Sequence, residues 1–157
     1  AARSWPSRLA GSVQVAGFSG SGFSAHASGC GAVSFADRAG GAVRGTDGGA
    51  DLIVVQGGLN DYDQPDTEIR AGFRRLMREL RGREVVVVGP ASAPARGAAV
   101  RHVDALLSAM ARQWGVPYVQ TSELRLAYLP DRLHLTPAGH EVFGDYVQHQ
   151  LDSRGLR

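Results

Sequence analysis

Asp131-Arg132-Leu133-His134 places a carboxylate three residues before an imidazole, just ahead of a helix start at Thr136-Pro137. The aspartate can accept a hydrogen bond from one ring nitrogen and leave the other free to take a proton from a nucleophile. Attack on an ester by a hydroxyl needs such a base, a group to orient it, and donors for the oxyanion that develops. Two upstream segments offer donors. Gly57-Gly58-Leu59-Asn60-Asp61 carries a side-chain amide at Asn60, and Gly17-Phe18-Ser19-Gly20 carries a backbone N–H at Gly20 that no side chain would obstruct. Taken singly, each segment is ordinary turn chemistry. Taken together and in this order, each after an expected strand, they form a specific pattern.

The elements that must hold these residues alternate in type. Residues 4–10 read as a helix start, with Ser4 as cap and Pro6 in the first turn. Residues 12–16 read as a strand with Val13 and Val15 on one face, and residues 17–32 as a Gly/Ser-rich loop. A weak helix over 34–43 is diluted by Gly40 and Gly41. The apolar run 51–56 predicts a strand buried on both faces, as in a parallel sheet. Ile69, Phe73, Leu76, Met77 and Leu80 mark a helix over 66–80. A strand over 84–88 follows, then a helix carrying Val100 to Trp114 that Gly115 ends. A strand at 116–120, an irregular stretch over 121–135 and a last helix capped by Thr136 complete the chain. The alternation predicts an α/β fold, a parallel sheet with helices on both faces, over a single domain spanning 1–157. In such sheets the working residues sit beyond the carboxyl ends of strands, where all three segments fall.

Composition narrows the function classes. The 157 residues are 43% apolar and 20% charged, which is ordinary for a globular chain. All 17 basic residues are arginine, and the net charge is +2. Arginines are interleaved with Asp and Glu along the helices, a solvated-face pattern that argues against nucleic acid. Cys30 stands alone, so no internal disulfide forms, and no Cys/His spacing points to a metal. The apolar runs are too short for a membrane span.

The pattern resembles the SGNH (GDSL-type) hydrolases. Trp5-Pro6-Ser7-Arg8-Leu9 looks like the helix that follows the nucleophile loop in that family. Gly17-Phe18-Ser19-Gly20 is similar to its second block, which maps an oxyanion N–H onto Gly20. Gly58-Leu59-Asn60-Asp61 matches its third block, which maps a second donor onto Asn60. Asp131 and His134 match its fifth. The resemblance covers the whole chain and implies a three-layer, flavodoxin-like sheet, ester chemistry on a small-molecule, glycan or lipid ester, and no metal or organic cofactor. Many relatives are exported, which leans towards secretion.

The family's first block, Gly-Asp-Ser with the nucleophile, is not in these residues. By the family's spacing it would precede Ala1, together with a central strand between 12–16 and 51–56. The expectation is therefore a serine esterase or acyl hydrolase whose nucleophile and first strand come from outside this chain, as an N-terminal fragment or from a strand-donating chain. The alternative is a hydrolase scaffold without its nucleophile, kept as a carbohydrate- or acyl-binding module. A flavodoxin-like phosphate binder is weaker, because the 17–32 loop lacks a Gly-Lys-Ser/Thr ending.

Other polar residues read as structural. Ser19, Ser21 and Ser24 read as partners of backbone groups in their loop. His26, His102, His140 and His149 lack a carboxylate at the Asp131–His134 spacing. Asp61 and Asp63 read as loop or helix caps.

Overall fold

The computed structural model describes residues 4–46 and 49–157. Three short parallel strands form the sheet: β1 (Ile53–Gln56), β2 (Val85–Val88) and β3 (Tyr118–Val119), in the order β1-β2-β3. β2 is four consecutive valines, all buried. β-Branched side chains suit a pleated surface packed on both sides. Ile53 pairs with Val85 and Gln56 with Val88, while Val87 pairs with Tyr118.

Among the described residues four α-helices surround the sheet: α1 (Phe35–Arg44), α2 (Asp66–Glu79), α3 (Gly97–Trp114) and α4 (Pro137–Ser153). Side chains alternate across a strand, and the core divides accordingly. Val85 and Val87 pack with Ile53, Val55 and the apolar faces of α1, α2 and α3. Val86, Val88 and Val119 pack with Val54, Phe143, Val147 and Leu151 on the opposite side. The result is the three-layer α/β arrangement expected from the alternation. Each fully buried valine, leucine or phenylalanine contributes about 1.5–3 kcal/mol, so the paired cores fix which loops meet at the strand ends.

The helix ends follow local chemistry. Ser34 and Asp37 form a reciprocal capping box on α1. Thr136 accepts the Gly139 N–H at the start of α4, with Pro137 in the first turn. Gly115, at φ +66°, ends α3. The N-terminal helix is a single 3₁₀ turn, Trp5–Arg8, packed on α4. Arg8 bonds Asp145 through two nitrogens, and the Trp5 ring meets Phe143 edge-on.

Two expectations are corrected. Residues 12–16 form no strand, because no ladder lies beside them. Val13 and Val15 are 41% and 63% exposed. β1 is half-buried along its whole length rather than buried on both faces. Both departures have one cause. The Ile53 and Gly57 N–H groups bond the carbonyls of Glu84, just before β2, and Val88, at its end. Backbone groups alternate in direction along a parallel strand, so those of Val54 and Gln56 face away from β2. No strand pairs with that edge among the described residues. A groove of about 1300 Å³ lies there instead, lined by Val13, Val15, Val54, Trp5, Leu9 and His140 among others.

Candidate active site

Residues 127–136 fold back on themselves beyond β3. Tyr128 and Leu135 form an antiparallel bridge, and the Leu129 N–H donates to the His134 carbonyl at 2.8 Å. Arg132 closes the turn at φ +58°, donating its N–H to the Leu129 carbonyl. This stretch, expected to be irregular, is therefore a tight hairpin-like turn. Inside it, Asp131 Oδ1 accepts the N–H groups of Leu133 (2.9 Å) and His134 (3.0 Å). Asp131 Oδ2 meets His134 Nδ1 at 2.6 Å. The imidazole hydrogen bond, followed by the two backbone donors, holds the Asp131 carboxyl down at about 2. An ionised carboxylate there places the ring proton on Nδ1 and leaves the Nε2 lone pair open. The His134 side chain is 70% exposed. A pair this exposed adds little to stability; its effect is to orient the ring.

The Asn60 loop follows β1. Gly57 and Gly58 are both needed: a Cβ on Gly57 would strike the Phe35 ring, and Gly58 has φ +114°. Asn60 sits in the 3₁₀ turn Leu59–Asp61 and donates through Nδ2 to the Ser21 carbonyl at 2.9 Å. The next residue, Asp61, is fully buried and accepts the N–H groups of Phe23 (2.9 Å) and Ser24 (2.8 Å). Desolvation pushes its carboxyl up, against the pull of those two donors. Asp61 thus clamps the glycine-rich loop to the Asn60 turn. Within that loop Gly20 has φ +85°, a conformation suited to glycine. Its N–H has no hydrogen-bond acceptor among the described residues.

The 90–97 loop after β2 joins the two halves. The Ala95 N–H donates to the Arg132 carbonyl at 3.0 Å. The Tyr128 hydroxyl lies 2.6 Å from Ser92 Oγ and accepts the Ala93 N–H at 2.8 Å. From the same loop Arg96 reaches the Leu59 carbonyl (2.5 Å) and Asn60 Oδ1 (3.3 Å), with its guanidinium over the Tyr62 ring. Behind these loops, buried Asp104 accepts from the Tyr118 hydroxyl and the Ser122 N–H. Sequence reasoning missed Arg96, Tyr128 and Asp104. Their partners lie 14 to 37 residues away, so no local spacing signals them.

Asp131 and His134 are therefore in direct contact, and Asn60 is bonded to the residue after Gly20. The two pairs meet only through the 90–97 loop, with no direct bond from His134 to Asn60 or Gly20 among the described residues. The loop serines fit their structural reading. Ser21 Oγ donates to the Val33 carbonyl and Ser24 Oγ to Gln64, and Ser19 is exposed. None bonds His134. Two histidines do have carboxylates, supplied by tertiary contact: His26 with Glu68 at 3.1 Å and His102 with Asp66 at 2.7 Å. Neither imidazole bonds Asn60 or His134 among the described residues.

Among the described residues no helix is long and apolar enough to cross a membrane. No curated protein sequence matches the chain. Among solved structures, it is similar to Est24, described as a carbohydrate acetylesterase from Sinorhizobium meliloti, with a TM-score of 0.82 at 16% identity. That match covers 98% of this chain and 86% of the other. The native aryl esterase of M. smegmatis aligns with a TM-score of 0.77 at 19% identity, over 97% of this chain and 86% of its own. At these identities the likeness shows the fold. The sequence itself fits the GDSL-like lipase/acylhydrolase family over residues 1–142, and the chain belongs to that family.

Proposed function

We propose that this chain forms most of a serine acyl hydrolase that cleaves carboxylic esters, and that the nucleophilic serine comes from a segment outside residues 1–157. The observation that carries this reading is the Asp131–His134 pair, with its Nε2 open beside strand-end loops. The serine Oγ attacks the ester carbonyl carbon while His134 Nε2 takes its proton. Gly20 N–H and the Asn60 amide receive the oxyanion. The imidazolium then protonates the leaving alcohol as the carbonyl–alkoxy bond breaks. Water, deprotonated by His134, releases the acid from the acyl-enzyme. An alcohol in place of water makes the same site an acyltransferase.

The groove beside β1 supports the origin of the serine. A strand laid there would pair the open β1 edge, cover Val13 and Val15, and reach the end of the sheet where His134 stands. It would also offer backbone donors to His140 Nδ1, a buried nitrogen that has no hydrogen-bond partner among the described residues and belongs to a residue lining the groove. We read the occupant as an apolar strand ending in the serine, from an N-terminal fragment or a second chain.

A fluorophosphonate probe tests this on the protein expressed from its complete reading frame, with the adduct mapped by mass spectrometry. An adduct on a serine outside residues 1–157, abolished by His134→Ala, is the expected result. An adduct on Ser19, Ser21 or Ser24 would overturn the placement of the nucleophile. Absence of any adduct would favour the binding-module reading.

A further inference from the structure

Among the described residues, Arg96 is the one arginine whose side chain bonds the Asn60 side chain. Its Nη1 lies 2.5 Å from the Leu59 carbonyl and 3.3 Å from Asn60 Oδ1. Its guanidinium carbon stands 4.1 Å from the Tyr62 ring centroid. No carboxylate pairs with it among the described residues. It is half-buried, so its charge is only partly screened by water.

An asparagine amide can point either end at a developing charge, and only the NH₂ end helps an oxyanion. Two contacts decide the orientation here. The Ser21 carbonyl accepts from Nδ2, and Arg96 donates to Oδ1. With the amide reversed, its NH₂ would face a guanidinium and its oxygen a carbonyl, and both contacts would become repulsive. A cation on the carbonyl end also draws electron density towards Oδ1 and makes the Nδ2 hydrogens better donors. The Tyr62 ring and the Leu59 carbonyl hold the guanidinium in place while it does so.

We propose that Arg96 is a positioning residue for this hydrolase: it fixes the direction of the Asn60 amide and strengthens it as an oxyanion donor. This rests on the ester-hydrolase reading above for its catalytic consequence, and on geometry alone for the orientation of Asn60. Arg96 also belongs to the loop whose Ala95 holds the Arg132 carbonyl beside His134, so one loop sets both the donor and the base.

The test is a double-mutant cycle in the complete enzyme with Arg96→Met, Asn60→Ala and their combination, read beside the Asn60 side-chain ¹⁵N–¹H₂ signals. Arg96→Met should lower kcat about tenfold with KM little changed, a smaller loss than removal of the donor itself, which is on the order of 10²–10³. The same change should cost almost nothing when Asn60 is already alanine. Arg96→Lys, which keeps the charge, should recover part of the rate. The Asn60 amide signals should move and exchange faster with water in Arg96→Met. An equal loss of rate with and without Asn60 would overturn the proposal, because it would mean that Arg96 only supports the fold. Unchanged Asn60 signals would overturn it as well. If the signals move but Asn60→Ala leaves hydrolysis unchanged, the orientation stands and the ester-hydrolase reading of Asn60 fails.

Discussion

Asp131 divides its two oxygens between backbone and imidazole: Oδ1 holds the Leu133 and His134 N–H groups, and Oδ2 meets His134 Nδ1 at 2.6 Å. One side chain therefore shapes the turn and sets the tautomer of the imidazole within it. Asp131→Asn separates the two tasks. The amide oxygen can still accept both backbone donors, but its NH₂ then faces Nδ1 and drives the ring proton to Nε2. In the complete enzyme kcat should fall by on the order of 10⁴ with the fold intact. Steady-state kinetics beside a circular dichroism spectrum check this, and a rate within tenfold of the parent would remove the pair from the mechanism.

The two key carboxylates should titrate in opposite directions. Asp131 is held down to about 2 by the imidazole and the two N–H groups, against about 3.9 in an unfolded chain. A depressed value means that its contribution to stability is present above about pH 3.9 and is lost as pH falls through about 2. Asp61 is raised by burial. Its linkage has the reverse sign: the contribution is present below about pH 3.9 and is lost as pH rises through its folded value. Carboxyl ¹³C shifts followed through an acid titration give both midpoints. Asp131 titrating at the ordinary carboxylate value would mean that its hydrogen bonds do not persist in solution.

Asp61→Ala should destabilise the protein by about 2–6 kcal/mol, since it leaves the buried N–H groups of Phe23 and Ser24 without acceptors at about 1–3 kcal/mol each. Urea unfolding measures this. A change below about 1 kcal/mol would show that water or another group replaces the carboxylate.

Gly72 lies on α2 where a Cβ would collide with the Phe23 carbonyl. Gly72→Ala has to push the 23–24 segment off the helix, and should cost about 1–3 kcal/mol or more even though alanine favours helix. Because Asp61 grips the same two residues, the substitution should also disturb Asn60. Thermal unfolding together with the Asn60 amide signals separates the two effects.

Much of this was legible in the sequence. The helices with strong apolar periodicity fell within a few residues of their observed ends, and Ser34, Gly115 and Thr136 mark boundaries through their own chemistry. The Asp131–His134 contact was legible because three residues of spacing in a tight turn leave little freedom. Residues 12–16 were misread because alternation describes a side-chain pattern, while a strand also needs a neighbour to bond. Arg96, Tyr128 and Asp104 were invisible because their partners arrive only when separate loops meet over the strand ends. The carboxylates of His26 and His102 were hidden for the same reason.

The open edge of β1 makes the stability of this chain depend on a concentration. Anything that binds the groove in the folded state and not in the unfolded one stabilises the fold by mass action, by about 2.7 kcal/mol at a hundredfold excess over Kd. The melting temperature would then rise with the concentration of whatever the groove binds. An unpaired strand edge also accepts strands indiscriminately, so while that edge stays unpaired β1 is where self-association should begin.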